Sequence, residues 1–349
     1  MKKFLILTGV ICLTSIFIFK ACENKKLTNS PAMGREYARE FMGMKYRVNV
    51  VGDTTDYSLK FDSIEKSIQN HIDPSNPEST VMKYNSSPGS NGYFEFVDDN
   101  KMMGMLLSVS LNMYRKSEGY WDFTISPAQI AWLPQILSAN PKTPNLDSLS
   151  VFTGMSYAQV DFQEVDEGGS YKFSKINKTN PKIELDLQKI GSALVLDKII
   201  EFLKRKSNKI SQATVKTDVW QSGFGSTIDS LNVLNMTMAG VKTGNMLRVE
   251  NRSYATFDSR NKVTLLDPKS LIPVYNEMHQ SYVSAKTLVE SYVFAEAFMI
   301  MGVEGIGQFY ESNAESDIQS LFYFMKSDSE RASASTENFD KMMVTHSVK

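Results

Sequence analysis

The chain has 349 residues, of which 42% are hydrophobic and 22% are charged, and its formal net charge is −1. This composition is typical of a folded globular protein and excludes an intrinsically disordered chain. The near-neutral charge argues against a broad basic surface, and therefore against nucleic acid as a partner.

Residues 1–22 have the layout of a secretory signal. Lysines near the start precede an almost uninterrupted apolar run from Phe4 to Phe19, which is short for a membrane span. Ala21 stands before Cys22, and a small residue before a cysteine indicates lipidation at Cys22. An uncleaved membrane anchor is the alternative. Both interpretations place the body of the protein outside the cytoplasm.

The remaining chain divides into a polar tether (23–38), one domain (39–326) and a polar tail (327–349). Hydrophobic periodicity predicts helices and strands within the domain. Helices are expected over Phe61–His71, Met102–Lys116, Ile190–Leu203 and Ser284–Gly302, and strands from Tyr46, within Tyr157–Asp186 and within Ser226–Thr264. Because no repeat or clean linker divides these elements, the sequence predicts a single α+β domain.

The most distinctive segment is Ser117–Trp132, which reads SEGYWDFTISPAQIAW. A turn glycine, Gly119, is followed by two aromatic residues and then by Asp122, Phe123 and Thr124. This combination fits either a ligand-binding loop or an ordinary turn with buried aromatic side chains.

A second segment, Ile183–Asp197, reads IELDLQKIGSALVLD and predicts a strand, a turn and a helix. The N-terminus of a helix offers unpaired backbone N–H groups and a partial positive charge, which suits a pyrophosphate. Ser192 can add a hydroxyl donor there, and Asp186 can accept a hydrogen bond from a ribityl or ribose hydroxyl. Asp197 is interpreted as a capping or ion-pairing residue.

Three weaker segments complete the set. Phe41-Met42-Gly43 precedes the strand from Tyr46, and LLDPKSLIP spans residues 265–273. The third is the long helix ending at Gly302, which carries Glu296. A methionine before a strand more often belongs to a core than to a cofactor site.

In this order, the five segments resemble those of the ApbE-type FAD:protein FMN transferases, flavin-handling lipoproteins of the bacterial cell envelope. The resemblance extends from about Met42 to Met325. It implies mixed, mostly antiparallel sheets with packed helices, and a membrane-anchored lipoprotein on the periplasmic or surface side. It also implies transfer of FMN from FAD to a threonine or serine of a target flavoprotein, with Mg²⁺ as cofactor and AMP as the leaving group.

The resemblance assigns expected roles to particular residues. Asp186 is the expected catalytic residue, and Glu296 is the expected Mg²⁺ ligand. The expected FAD contacts are Met42, Trp121, Asp122, Phe123, Asp186 and Ser192.

The chain also departs from the family pattern. Gln188-Lys189 replaces a Gly-Gly pair, Thr264 replaces a histidine and Leu271 replaces a glycine. Tyr292 stands at the position of a Mg²⁺-binding aspartate, and tyrosine is a poor ligand for a hard cation.

These departures predict FMN transferase activity that is weaker than in the family or altered. Glu296 stands where the family has a threonine, and Glu290 is the alternative carboxylate if the helix is shifted. The competing hypotheses are a non-catalytic flavin-binding or surface interaction lipoprotein with the same fold, and a surface lipoprotein with a purely structural role.

Overall fold

The computed structural model describes the chain from Gly34, and the residues from 34 onward form one compact unit. It describes residues 34–88, 92–98, 101–154, 162–167, 170–225, 233–238, 241–248, 251–258, 265–327 and 330–345. The predicted signal, Cys22 and most of the predicted tether lie outside the described residues.

The described residues form eight helices and sixteen strands, numbered here in chain order. The helices are α1 (Ser58–Ile72), α2 (Thr80–Ser86), α3 (Met102–Lys116), α4 (Ser126–Ile136), α5 (Leu146–Ser150), α6 (Gln188–Lys204), α7 (Leu288–Ser312) and α8 (Glu337–Met342). The strands are β1 (Gly34–Phe41), β2 (Met44–Val51), β3 (Tyr93–Phe96), β4 (Phe162–Glu167), β5 (Ser170–Asn177), β6 (Gln212–Lys216), β7 (Trp220–Phe224), β8 (Val233–Met238), β9 (Val241–Arg248), β10 (Ser253–Asp258), β11 (Leu266–Asp267), β12 (Ile272–Pro273), β13 (Met278–Ala285), β14 (Gln319–Ser327), β15 (Glu330–Ser335) and β16 (Met343–Thr345).

An eight-stranded antiparallel sheet forms the centre of the fold, in the order β1-β2-β6-β7-β10-β13-β14-β15. Smaller antiparallel sheets, β16-β9-β8, β3-β5-β4 and β11-β12, lie around it. Helices α6 and α7 pack on this central sheet and on each other. The predicted α+β class, with mostly antiparallel sheets and packed helices, is confirmed.

Helices α6 and α7 are buried because their apolar residues cover more than one face. In α6, Ile190, Ala193, Val195 and Leu196 are at most 1% exposed. Gly191 allows α1 to approach closely, since a Cβ at this position would lie 2.2 Å from the Cδ1 of Ile72. Because α6 and α7 pack tightly on the central sheet, the start of α6 has a fixed position relative to the strands. The candidate site lies at this start of α6.

Helix α7 is broken at Gly302, which has φ 72° and ψ 176°. Residues from the loop before β13 satisfy the backbone groups that the break exposes. Asn276 Nδ2 donates to the carbonyl of Met299 (2.9 Å), and the Val303 N–H donates to Glu277 Oε1 (2.8 Å). The predicted helix over Ser284–Gly302 is thus the first half of α7, which starts at Leu288.

The structure differs from the predicted boundaries at both ends of the domain. Strand β1 begins at Gly34, within the predicted tether, and the hairpin turn Met42-Gly43 connects it to β2. The predicted tail contains β15, α8 and β16, and Phe339 in α8 is fully buried. Both segments are polar along most of their length, but Tyr37 and Phe41 in the first and Phe339 in the second are buried.

Among the described residues, no helix combines the length and the apolar character needed to cross a bilayer.

Candidate functional site

The segment Ser117–Thr124 forms a compact turn after α3. Gly119 has φ 78°, a left-handed conformation that favours glycine, and its N–H donates to the Tyr114 carbonyl (2.9 Å). The buried Asp122 Oδ1 accepts from the backbone N–H and the hydroxyl of Thr124, both at 2.7 Å. Asp122 therefore stabilises the turn and does not line the cavity described below.

This turn is tied directly to the start of α6. The backbone N–H of Asp186 donates to the carbonyl of Phe123 at 2.8 Å. The exposed Asp186 side chain accepts from the N–H of Gln188, the first residue of α6, through Oδ1 (3.2 Å). The structure thus brings together the two segments that the sequence singled out most strongly.

Tyr292 of α7 packs against the first of these segments and against β7. Its ring contacts Trp121 edge-to-face, with centroids 6.5 Å apart, and Trp220 of β7 at 5.4 Å. The hydroxyl of Tyr292 donates to Glu296 Oε2 at 2.6 Å.

A cavity of about 220 Å³ lies beside this cluster. It combines aromatic and apolar walls with one ammonium group and one carboxylate. The residues that define it here are Lys189, Trp220, Phe257, Leu265, Tyr292 and Glu296. Such a mixture of aromatic surface and few polar groups is typical of small-molecule sites.

The Tyr292 hydroxyl is held in its neutral form. Burial raises its pKa well above the ordinary value, and the negative charges of Glu296 and Asp186 raise it further.

The residues at the expected metal position do not fit Mg²⁺. A magnesium ion prefers octahedral oxygen ligands that carry negative charge, and a neutral phenol is a poor ligand for it. One oxygen of Glu296 already accepts from Tyr292, and both side chains are at least nine-tenths buried. Within the described part of the chain, no three acidic, histidine or cysteine side chains form a group that could hold a metal ion.

Glu290 does not supply the missing carboxylate, because it faces another direction. Its Oε1 pairs with Lys116 Nζ at 2.6 Å, and its backbone N–H donates to the Thr287 hydroxyl that caps α7. Asp197 also has a structural role, as the sequence indicated, although it caps a different helix from its own. It accepts from the N–H groups of Leu288 and Val289 at the start of α7, at 2.7 and 3.0 Å.

None of the six predicted FAD contacts is among the residues that line the cavity, and three of them have contacts elsewhere. Phe123 is 1% exposed and belongs to the core. The Ser192 hydroxyl donates to the Gln188 carbonyl at 2.9 Å, so it is bonded within α6. Met42 lies in the β1–β2 turn with φ 48° and packs against the core. In this structure none of the three side chains is directed at the cavity.

The segment 265–273 contributes Leu265 to the cavity wall, and its other residues pack around the site. Its Leu271 carbonyl accepts from the Trp132 indole N–H (2.7 Å), and Lys269 lies 3.4 Å above the Tyr120 ring. Leu271 has φ 57°, a conformation in which glycine costs less than leucine. Leu271, which stands where the family pattern has a glycine, therefore adopts the left-handed conformation that favours glycine. Thr264 lies outside the described residues.

Sequence reasoning missed three residues of the cavity: Lys189, Trp220 and Phe257. For Lys189 a signal was present, since a lysine replaces glycine in the first turn of a helix that was expected to face phosphate. Trp220 and Phe257 lie on strands that no motif marks, and only the pairing of β7 with β10 brings them together.

The fold is shared with a known family. The sequence profile of the ApbE family matches residues 42–322, which is most of the chain. The protein belongs to the ApbE family.

Characterised relatives and solved structures agree with this assignment. The chain is 20% identical to the FAD:protein FMN transferase of Salmonella typhimurium over 321 residues, covering 84% of this chain and 86% of the relative. It is also 20% identical to that of Escherichia coli K12 over 331 residues, covering 85% and 87%.

Two crystallised relatives have the same fold. The flavin transferase ApbE from Vibrio cholerae superposes with a TM-score of 0.72 at 17% identity, over 89% of this chain and 100% of that one. The flavinyl transferase ApbE from Pseudomonas stutzeri gives 0.69 at 18%, over 89% and 97%.

Proposed function

We propose that this protein is a flavin transferase of the bacterial cell envelope that takes FMN from FAD. It acts on a threonine or serine of a target flavoprotein and is attached to the membrane through lipid at Cys22. The observation that carries the proposal is the cavity beside Tyr292, where the turn of Trp121, the start of α6 and the aromatic residue Trp220 meet. Family membership and the names of the relatives support it.

The reaction forms one phosphorus–oxygen bond and breaks another. The hydroxyl oxygen of the target bonds to the FMN phosphorus of FAD, the bond to the AMP phosphate breaks, and AMP leaves with the bonding electrons. The hydroxyl proton needs an acceptor. Asp186 is the candidate, because its carboxylate is exposed and stands at the start of α6 beside the aromatic cluster.

The chain's other groups bind and orient the substrate. Trp220, Phe257 and Tyr292 provide aromatic surface for a flat ring. The buried contacts behind Tyr292 keep this surface rigid, which lowers the cost of aligning the reacting groups. We derive no step through a metal ion, since the residues present do not fit one.

AMP release from FAD tests the proposal. Full-length protein in detergent micelles should quench FAD fluorescence and release AMP. Asp186→Asn should lower AMP release while FAD binding persists, because asparagine can keep the hydrogen bond from Gln188. Glu184→Gln, two residues earlier, is the matched control and should release AMP like the wild type.

A second candidate function is flavin binding without turnover. The hydrogen-bonded Tyr292–Glu296 pair favours it, since this pair occupies the position where the family places metal ligands. FAD quenching by a well-folded protein without any AMP release would contradict the transferase and support this second candidate.

A further inference from the structure

The hydrogen-bonded side chains of Tyr292 and Glu296 occupy the position where the family pattern predicts a metal ion. The Tyr292 hydroxyl donates its proton to Glu296, at 2.6 Å, and the Tyr292 ring contacts Trp121. Tyr292 is 5% exposed and Glu296 is 9% exposed. A cation entering here would have to break a charge-assisted hydrogen bond and still find further oxygen ligands.

A positive charge is nevertheless available at the same cavity. Lys189, in the first turn of α6, lines it together with Tyr292 and Glu296. It is the one cationic side chain among the described residues that line this cavity. The side chain is exposed, so its ammonium group can reach a ligand without a change in the fold.

A lysine side chain and a divalent cation can both neutralise negative charge on a pyrophosphate. An ammonium group is a compact point charge that binds phosphate oxygens without fixed geometry. At Lys189 it also adds to the partial positive charge of the α6 N-terminus. In this chain the lysine stands where the family pattern has glycine, and the tyrosine stands where it has a metal ligand.

We infer that this protein binds the pyrophosphate of FAD through Lys189 and without a divalent cation in the cleft. The inference rests on the proposed function, since it concerns the same site and the same ligand. It differs from the family pattern, in which magnesium bridges the pyrophosphate.

FAD titrations test the inference directly. Quenching of FAD fluorescence by the full-length protein should give the same Kd in EDTA and in excess Mg²⁺. Lys189→Met should raise that Kd about tenfold or more, the loss expected for one charge-assisted hydrogen bond. Lys189→Arg should restore most of the affinity. Lys204→Met, at the other end of α6, is the matched control and should leave the Kd unchanged.

Manganese binding gives a second readout that does not depend on FAD. Electron paramagnetic resonance of Mn²⁺ with the wild-type protein should show only the free ion. Tyr292→Asp places two carboxylates one helical turn apart and should create bound Mn²⁺. The exposed Lys189 variants keep the inference testable if this buried substitution impairs folding.

The outcomes separate the two proposals. FAD binding that requires Mg²⁺, a Mn²⁺ site in the wild type that Glu296→Gln removes, or an unchanged Kd in Lys189→Met overturns the inference alone. A folded protein that binds no FAD in either buffer overturns the proposed function, and the inference with it.

Discussion

At the scale of single residues, Asp122 shows how a motif residue can serve the site indirectly. Its Oδ1 accepts two hydrogen bonds from Thr124, and the Thr124 hydroxyl accepts in turn from the N–H of Gly154. The carboxylate thus stabilises the turn. Trp121, the residue before Asp122 in this turn, contacts Tyr292. Its influence on flavin binding should pass through the shape of this turn.

The first prediction concerns this bond network. Asp122→Ala should lower the free energy of unfolding by about 1.5–3 kcal/mol, because a buried, charge-assisted acceptor is lost. Thr124→Val should also destabilise, and the double variant should lose less than the sum, since both changes remove the same bond. Urea unfolding of the four proteins measures this. Fully additive losses would show that the two side chains do not act together.

A second residue-scale prediction concerns pH. Burial raises the pKa of Asp197 to about 7, although the Leu288 and Val289 N–H groups oppose that rise. The native state therefore holds a proton that the unfolded chain has released above about pH 4. The stability that this proton contributes is present at low pH and is lost as the pH rises through about 7.

Asp197→Asn removes the titrating group and should remove this part of the pH dependence. The free energy of unfolding of the wild type, measured in urea between pH 4.5 and 8, should fall more steeply with pH than that of the variant. Parallel curves for the two proteins would show that Asp197 is already ionised across the range.

At the scale of elements, the break in α7 is built by glycine and by two side chains from a neighbouring loop. A Cβ at Gly302 would lie 3.2 Å from Glu277 Oε1 and 3.4 Å from Asn276 Nδ2, while φ is 72°. The same two side chains make the hydrogen bonds that cap the broken helix. If α7 were continuous at Gly302, the part of the helix after Gly302 would therefore run in a different direction.

The third prediction tests this break. Gly302→Ala should destabilise the protein by about 1–2 kcal/mol from the left-handed conformation alone, with a further loss if the caps are displaced. Gly307→Ala is the matched control, because a Cβ there meets nothing within 4 Å and alanine favours a helix. Thermal unfolding should show a lower Tm for the first variant and an unchanged or higher Tm for the second. Equal behaviour would mean that the break tolerates a side chain.

At the scale of the whole molecule, the sequence predicted what depends on local periodicity. Helix α3 was predicted over the residues that it occupies, and α6 within two residues at its start. The order of the central sheet was beyond reach, because pairings such as β2 with β6 join segments that no local pattern links. The cavity depends on that order, so Trp220 and Phe257 could not be predicted.

The side-chain directions inside the site were also beyond sequence reasoning. The sequence marked Tyr292 as a departure from the family, but a residue type does not show whether a hydroxyl faces solvent or a carboxylate. The structure shows that it donates to Glu296 in the interior. The direction of the Ser192 hydroxyl could not be predicted for the same reason, since a serine in a helix can equally bond to the preceding turn, as it does here.

The last prediction concerns where the whole protein resides. The apolar run and Cys22 predict export and lipid attachment, and the alternative is an uncleaved anchor formed by the same run. A lipid-modified cysteine would hold the domain at a membrane surface through buried acyl chains, without any helix of the domain entering the bilayer. Metabolic labelling of cells with a fatty-acid analogue should tag the wild type, and Cys22→Ser should abolish the tag. The variant should also run larger on a gel, because processing at the cysteine would fail. Membrane fractionation and labelling that are both unchanged in Cys22→Ser would show that the apolar run itself is the anchor.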